Sequence, residues 1–180
     1  MRIRTLTTLA ATAAVALAGA GAGATASSAL ASSPHDYDNA VLQIKTHGGL
    51  VLDVEGASTG DGTRVIQWTP NGGDNQRWRF VRIGDHHQIR SVHSNKCLTV
   101  ALDGSSRVVQ WVCSPSRLSQ QWDVEPGTVS STVLNGLTIR SVSTGLPLTA
   151  TDVLGQQVSV KNSLLGDDPE QVFDFMTSVR

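Results

Sequence analysis

Charge is scarce in this sequence. Asp, Glu, Lys and Arg together make up 16% of its 180 residues, and they lie scattered, without a basic run. Nucleic acid and anionic membrane surfaces are gripped by clustered Lys and Arg, so neither partner is expected. The same sparseness leaves no solvated face for an amphipathic helix. Long apolar stretches are missing beyond the first thirty-one residues. No later segment reaches the roughly 20 apolar residues of a spanning helix, and membrane insertion is not expected. Cysteine is limited to Cys97 and Cys113. His86, His87 and His93 lack companions at zinc-like spacing, so they read as turn histidines and no metal or other cofactor is expected. With few acids and no recognised nucleophile–base constellation, the chain is not expected to be an enzyme. The pattern sets no oligomeric state.

Against these absences stands a repeated phrase. Gln76-Arg77-Trp78 returns as Gln120-Gln121-Trp122 and, altered, as Gln171-Val172-Phe173, with aromatic-to-aromatic spacings of 44 and 51 residues. Two further landmarks keep the same order. Gln43-Ile44-Lys45-Thr46 corresponds to Gln88-Ile89-Arg90-Ser91 and Thr138-Ile139-Arg140-Ser141, and Val65-Ile66-Gln67-Trp68 corresponds to Val108-Val109-Gln110-Trp111. Several anchors in fixed order at one period mean a single structural unit built three times.

The N-terminal stretch stands apart from the repeats. Arg2 and Arg4 precede an Ala-rich apolar run from Leu6 to Ala20, followed by small-x-small patterns at Ala24-Thr25-Ala26 and Ala29-Leu30-Ala31. Basic, then apolar, then small-x-small is the order of a secretory signal peptide, expected here over 1–31, with a linker over 32–39. The product would be a secreted, extracellular chain of one domain's length, with twelve basic against fifteen acidic side chains. In an oxidising compartment Cys97 and Cys113 are expected to form one disulfide. The chain-entropy account gives such a short loop about 3 kcal/mol.

From Val41 onward short β-branched and aromatic runs such as Leu50–Val54, Arg64–Trp68 and Arg77–Phe80 alternate with turn clusters. The clusters include Gly60-Asp61-Gly62, Asn71-Gly72-Gly73-Asp74, Asp103-Gly104 and Gly166-Asp167-Asp168-Pro169. This predicts an all-β fold with about four strands per unit. Three units fall short of the usual propeller, and suit a closed barrel of threefold pseudo-symmetry that leaves few free sheet edges.

The Gln-x-Trp repeats, the Leu52-Asp53-Val54 strand and Asn75-Gln76-x-Trp78 resemble ricin B-type lectin domains. The resemblance runs from about residue 40 to 178, with repeats near 40–84, 85–130 and 131–178. It implies a β-trefoil, with Trp78, Trp122 and Phe173 as structural core. It also implies a carbohydrate site in the first repeat. Asp53 and Asn75 would hold sugar hydroxyls, Trp68 would stack on the ring, Gln76 would orient Asp53, and Gln67 would stand at the rim. In the second repeat Thr99 and Ser119 replace Asp53 and Asn75 while Trp111 is kept, which implies a weak or lost site. In the third, Thr149, Lys161 and Glu170 take the three site positions, which implies an architectural lobe. Cys97 and Cys113 match positions where the family often bridges two strands of a lobe. The implied function is a secreted, lectin-like protein that binds glycans or polysaccharides through one intact site, of galactose type or related. The competing expectation is a β-trefoil scaffold for protein binding, such as a protease inhibitor. The short, glycine-rich loops argue against that.

Overall fold

In the computed structural model the described residues are 37–129, 132–162 and 169–177. The expected signal peptide, residues 32–36 of the expected linker, the 130/131 repeat boundary and most of the Gly166–Pro169 turn lie outside them. Among the described residues the chain forms twelve strands linked by turns and short 3-10 segments, with no α-helix.

Six of the strands close a barrel. They are β1 (Val41–Thr46), β4 (Trp78–Ile83), β5 (His86–Ser91), β8 (Trp122–Val129), β9 (Thr132–Ser141) and β12 (Phe173–Thr177). Pairing runs β1 to β4, β4 to β5, β5 to β8, β8 to β9, β9 to β12 and back to β1, all antiparallel. The ring therefore ends where it began and exposes no free ladder of N–H and C=O groups. Three hairpins complete the fold: β2 (Val51–Val54) with β3 (Val65–Trp68), β6 (Cys97–Val100) with β7 (Val108–Trp111), and β10 (Leu148–Thr149) with β11 (Ser159–Val160). This is the closed threefold barrel expected from the repeats, and the β-trefoil that the resemblance implies.

The core follows from the repeated phrase. Trp78, Trp122 and Phe173 are buried at equivalent positions, with Leu52, Leu98 and Leu148 beside them in one apolar cluster. An indole buried this deeply needs an acceptor for its N–H. Trp78 Nε1 donates to the Leu52 carbonyl at 3.1 Å, and Trp122 Nε1 donates to that of Leu98 at 3.0 Å. The third lobe has Phe173, which carries no such donor.

Register makes the hairpins superimposable in kind. Asp53 lies opposite Ile66, Thr99 opposite Val109 and Thr149 opposite Ser159. Neighbouring lobes are also stitched together. Gln67 N donates to the Gln156 carbonyl, Gln110 N to that of Thr63 and Val160 N to that of Ser106. In the second lobe the expected disulfide joins Cys97 to Cys113, with Cα atoms 5.1 Å apart. It ties β6 to the segment that follows β7.

Candidate functional site

Strand parity sets which side chains the first hairpin can offer. Residues two apart on a strand share a face, so Ile66 and Trp68 point together and Gln67 points the other way. Ile66 and Trp68 line a cleft of about 420 Å³ with Asp53, Glu55, Asn71 and Asn75. Trp68 keeps 39% of its surface exposed, whereas Asp53 is buried at the cleft floor. The indole of Trp68 is seated by the third lobe, where Gly155 has φ +75° and any Cβ there would stand 3.6 Å from the ring. A residue at that φ is strained unless it is glycine, although a Cβ would meet the ring only in ordinary contact.

Asp53 is held at both oxygens. Gln76 Nε2 donates to Oδ2 at 2.8 Å and Asn75 Nδ2 donates to Oδ1 at 2.9 Å. Each amide has a second acceptor, the Thr69 carbonyl for Gln76 and the Val54 carbonyl for Asn75. Gln76 also accepts from Asn71 N at 2.8 Å, which fixes the loop that carries Asn71. Burial raises the Asp53 pKa above the ordinary aspartate value. The hydrogen bonds from Gln76 and Asn75 oppose that rise, and nearby Glu55 adds to it. Each carboxylate oxygen accepts one of these bonds and has the capacity for another.

Gln67 requires a correction. It is fully buried rather than at the rim. Its Oε1 accepts from Asp152 N at 2.6 Å, and its backbone brackets the 155–156 loop through Gly155 N and the Gln156 carbonyl. Gln67 therefore braces the third lobe behind Trp68. Gln110 does the same for the first lobe, donating from Nε2 to the carbonyls of Ser58 and Gly60 at 2.8 and 2.9 Å.

Glu55 and Asn71 are cleft residues that the motif comparison left out. Strand parity does not reach Glu55, which opens the 3-10 turn Glu55–Ala57 just past β2. Glu55 is ion-paired with Arg64, whose Nε and Nη2 donate to its two carboxylate oxygens, and those hydrogen bonds lower its pKa.

In the second lobe Gln120 repeats the bracing role, donating from Nε2 to Thr99 Oγ1 at 3.1 Å and to the Val112 carbonyl at 2.9 Å. Thr99 Oγ1 in turn donates to the Cys97 carbonyl at 2.7 Å. Ser119 is buried, and its Oγ has no hydrogen-bond partner among the described residues. In the third lobe Thr149 is buried and donates to the Pro147 carbonyl, Lys161 is exposed, and Gln171 reaches the Lys161 carbonyl instead of the residue-149 side chain.

Gly56 to Gly60 spell G-x-S-x-G, but a nucleophile elbow needs a strand-to-helix turn. Here Ser58 follows the 3-10 turn Glu55–Ala57, and its Oγ accepts from Gly60 N and from Thr63 Oγ1 inside a loop. His86 pairs with Asp123 and His87 with Asp38, at 2.5 and 2.9 Å. Among the described residues no three His, Cys, Asp or Glu side chains gather to hold a metal ion. No helix among them is long and apolar enough to cross a membrane.

Comparison with known proteins agrees with this architecture. The sequence matches the family described as Ricin-type beta-trefoil lectin domain-like over residues 34–111 and again over 74–162. No curated protein matches it. Among solved structures it is similar to the designed threefold-symmetric protein ThreeFoil, with 29% identity, 76% of this chain and 98% of that one covered, and a TM-score of 0.65. It also shares its fold with the C-half of an earthworm R-type lectin in complex with GalNAc (22% identity, 75% and 96% covered, TM-score 0.56). A third is the Macrolepiota procera ricin B-like lectin in complex with lactose (19% identity, 77% and 95% covered, TM-score 0.59). The two overlapping matches span most of the chain, and the barrel closes as a trefoil: this protein belongs to the ricin-type β-trefoil lectin family.

Proposed function

We propose that the protein is an exported lectin whose first lobe binds a single galactose-type residue of a glycan or polysaccharide. The observation that carries this reading is Asp53, a carboxylate fixed at both oxygens on the floor of a cleft walled by the exposed face of Trp68. A sugar presents hydroxyls at fixed angles and one apolar face of C–H groups. The remaining lone pairs of Asp53 accept two hydroxyls through charge-assisted bonds. The Oδ1 atom of Asn75, which accepts no hydrogen bond from a described residue, takes a third. Trp68 supplies the platform for the C–H face. Because Gln76 and Asn75 hold the carboxylate before the sugar arrives, little side-chain ordering is left to oppose binding.

The galactose type is supported by two relatives of the same fold, whose structures contain GalNAc and lactose. Export is supported by the Cys97–Cys113 bridge, since disulfides persist in oxidising compartments. A single shallow contact of this kind gives a Kd on the order of 0.1–1 mM, about 4–5.5 kcal/mol.

The test is retention of the mature chain on immobilised galactosides, with a glycan array to set the sugar. Asp53→Ala is expected to abolish retention. Its stability cost should stay near 1 kcal/mol, because each amide that it frees keeps its second acceptor and a desolvated charge is removed. Retention by Asp53→Ala equal to the parent's would overturn the assigned site.

A further inference from the structure

The second lobe holds a cleft of about 410 Å³ at the place equivalent to the first, and Trp111 stands in its wall 39% exposed, matching Trp68. Its ring is seated by Gly62 of the first lobe, at φ +78°, as Trp68 is seated by Gly155. The platform is thus intact, but the polar groups around it have changed sign. Asp53 and Glu55 of the first cleft are represented here by Thr99 and Ala101, so both carboxylates are gone. Thr99 Oγ1 is already engaged by Cys97 and Gln120. In their place Arg64, Arg107 and Arg117 line the cleft.

These arginines are not equivalent. Arg64 is paired with Glu55, and Arg107 with Asp103 at 2.5 Å. Asp103 is the one carboxylate among the residues lining this cleft. Hydrogen bonds from Ser105 and Arg107 hold its pKa down at about 2, so it stays ionised and bound to its own arginine. Arg117 differs: its guanidinium makes no hydrogen bond or ion pair with any described residue, and it only feels the charge of Asp61. Asp61 itself is occupied by Lys96 and by Val112 N.

The placement of Arg117 follows from a linked exchange. Arg117 opens the 3-10 turn Leu118–Gln120, as Gly73 opens Asp74–Gln76. In the first lobe a Cβ at Gly73 would stand 2.5 Å from Asn75 Oδ1 and 3.0 Å from Asn71 Oδ1, so a side chain there would displace the asparagine that holds Asp53. In the second lobe Ser119 replaces that asparagine, and the space admits an arginine. Loss of the carboxylates, loss of the asparagine and gain of the cation occur together.

We infer that the second-lobe cleft binds an acidic saccharide, its ring stacked on Trp111 and its carboxylate or sulfate held by Arg117. A guanidinium offers paired donors that match either anion. The site is separate from the first-lobe site and does not depend on it.

The test is an NMR titration of the mature chain that follows the four indole N–H resonances, with the buried Trp78 and Trp122 as internal controls. Galacturonate and galactose 6-sulfate are each added, with galactose, acetate and inorganic sulfate as comparisons. A saturable shift of Trp111 by at least one acidic sugar is expected, at least tenfold tighter than with galactose and weakened by added NaCl. The acidic sugar that shifts it identifies the anion. Arg117→Ala should weaken that binding at least tenfold, and Asp53→Ala should leave it unchanged while removing any response of Trp68 to galactose. Arg117→Gln serves as the second variant, since it keeps the side-chain stem. The inference is overturned if neither acidic sugar shifts Trp111, if galactose shifts it equally well, if acetate or sulfate alone reproduces the shift with equal affinity, or if both Arg117 variants bind as the parent does.

Discussion

The first and second lobes present two clefts on one backbone plan, with the same hairpin register, the same bracing glutamine and the same half-exposed tryptophan. They differ in charge. Asp53 and Glu55 line the first without a cation among its lining residues, while Arg64, Arg107 and Arg117 line the second against one carboxylate. Gln76 and Gln120 show why so large a change leaves the fold intact. Each donates to whatever oxygen stands at the strand position, a carboxylate in one lobe and a hydroxyl in the other, and each keeps a loop carbonyl as its second acceptor. The frame is built from backbone groups and buried leucines and tryptophans. The cleft walls are therefore free to diverge without cost to the core.

Several measurements would break or sharpen that comparison. The largest effect belongs to the shared frame. Trp78→Ala and Trp122→Ala should each cost about 3–5 kcal/mol in denaturant unfolding. A cost under about 1 kcal/mol for either would mean that the two lobes are not built alike. Next comes the feature confined to one lobe. Replacing both Cys97 and Cys113 by Ser should lower stability by about 3 kcal/mol in urea. Galactoside retention in buffer should persist, because the bridge lies away from Asp53.

Acid should separate the two clefts further. The folded pKa of Asp53 lies above its unfolded value, so between the two the folded state holds a proton that the unfolded chain lacks. As pH falls through that window, Asp53 contributes growing stability, whereas galactoside binding declines by about tenfold per pH unit below the folded pKa. Thr99 does not titrate, so Thr99→Ala should leave the galactoside pH profile unchanged. Its cost should be about 1 kcal/mol for the lost Gln120 bond, read from the unfolding midpoint. A galactoside profile flat through the aspartate range would remove Asp53 from the binding role. The smallest effect is expected in the third lobe. Lys161→Ala is exposed and should change galactoside affinity less than twofold and stability by no more than about 0.5 kcal/mol. A larger loss of affinity would mean that the third lobe carries a site of its own.

How much of this was legible beforehand depends on the distance between interacting residues in the chain. Asp53, Trp68 and Asn75 fall within one repeat and line a common cleft, while Gln76 is buried and holds Asp53. Glu55 was not legible in this way, because it falls in the 3-10 turn after β2, where strand alternation no longer assigns a face. Gln67 was misplaced because its partners, Asp152 and the 155–156 loop, come from another lobe. Arg64 belongs by sequence to the first repeat and lines the cleft of the second. Position within a repeat could not reveal this.

By itself the amino-acid order determined the triple unit, the short strands, the inward-facing tryptophans and leucines and the pairing of two lone cysteines. All of these rest on local alternation or on a phrase repeated at one period. Only the tertiary structure decided what the lobes do for one another. Closure of β12 on β1 brings glycines of one lobe under the tryptophans of the next and turns buried glutamines into braces between lobes. It also sets a guanidinium from one repeat into the cleft of another. Those contacts join residues far apart in sequence, and only the closed ring places them side by side.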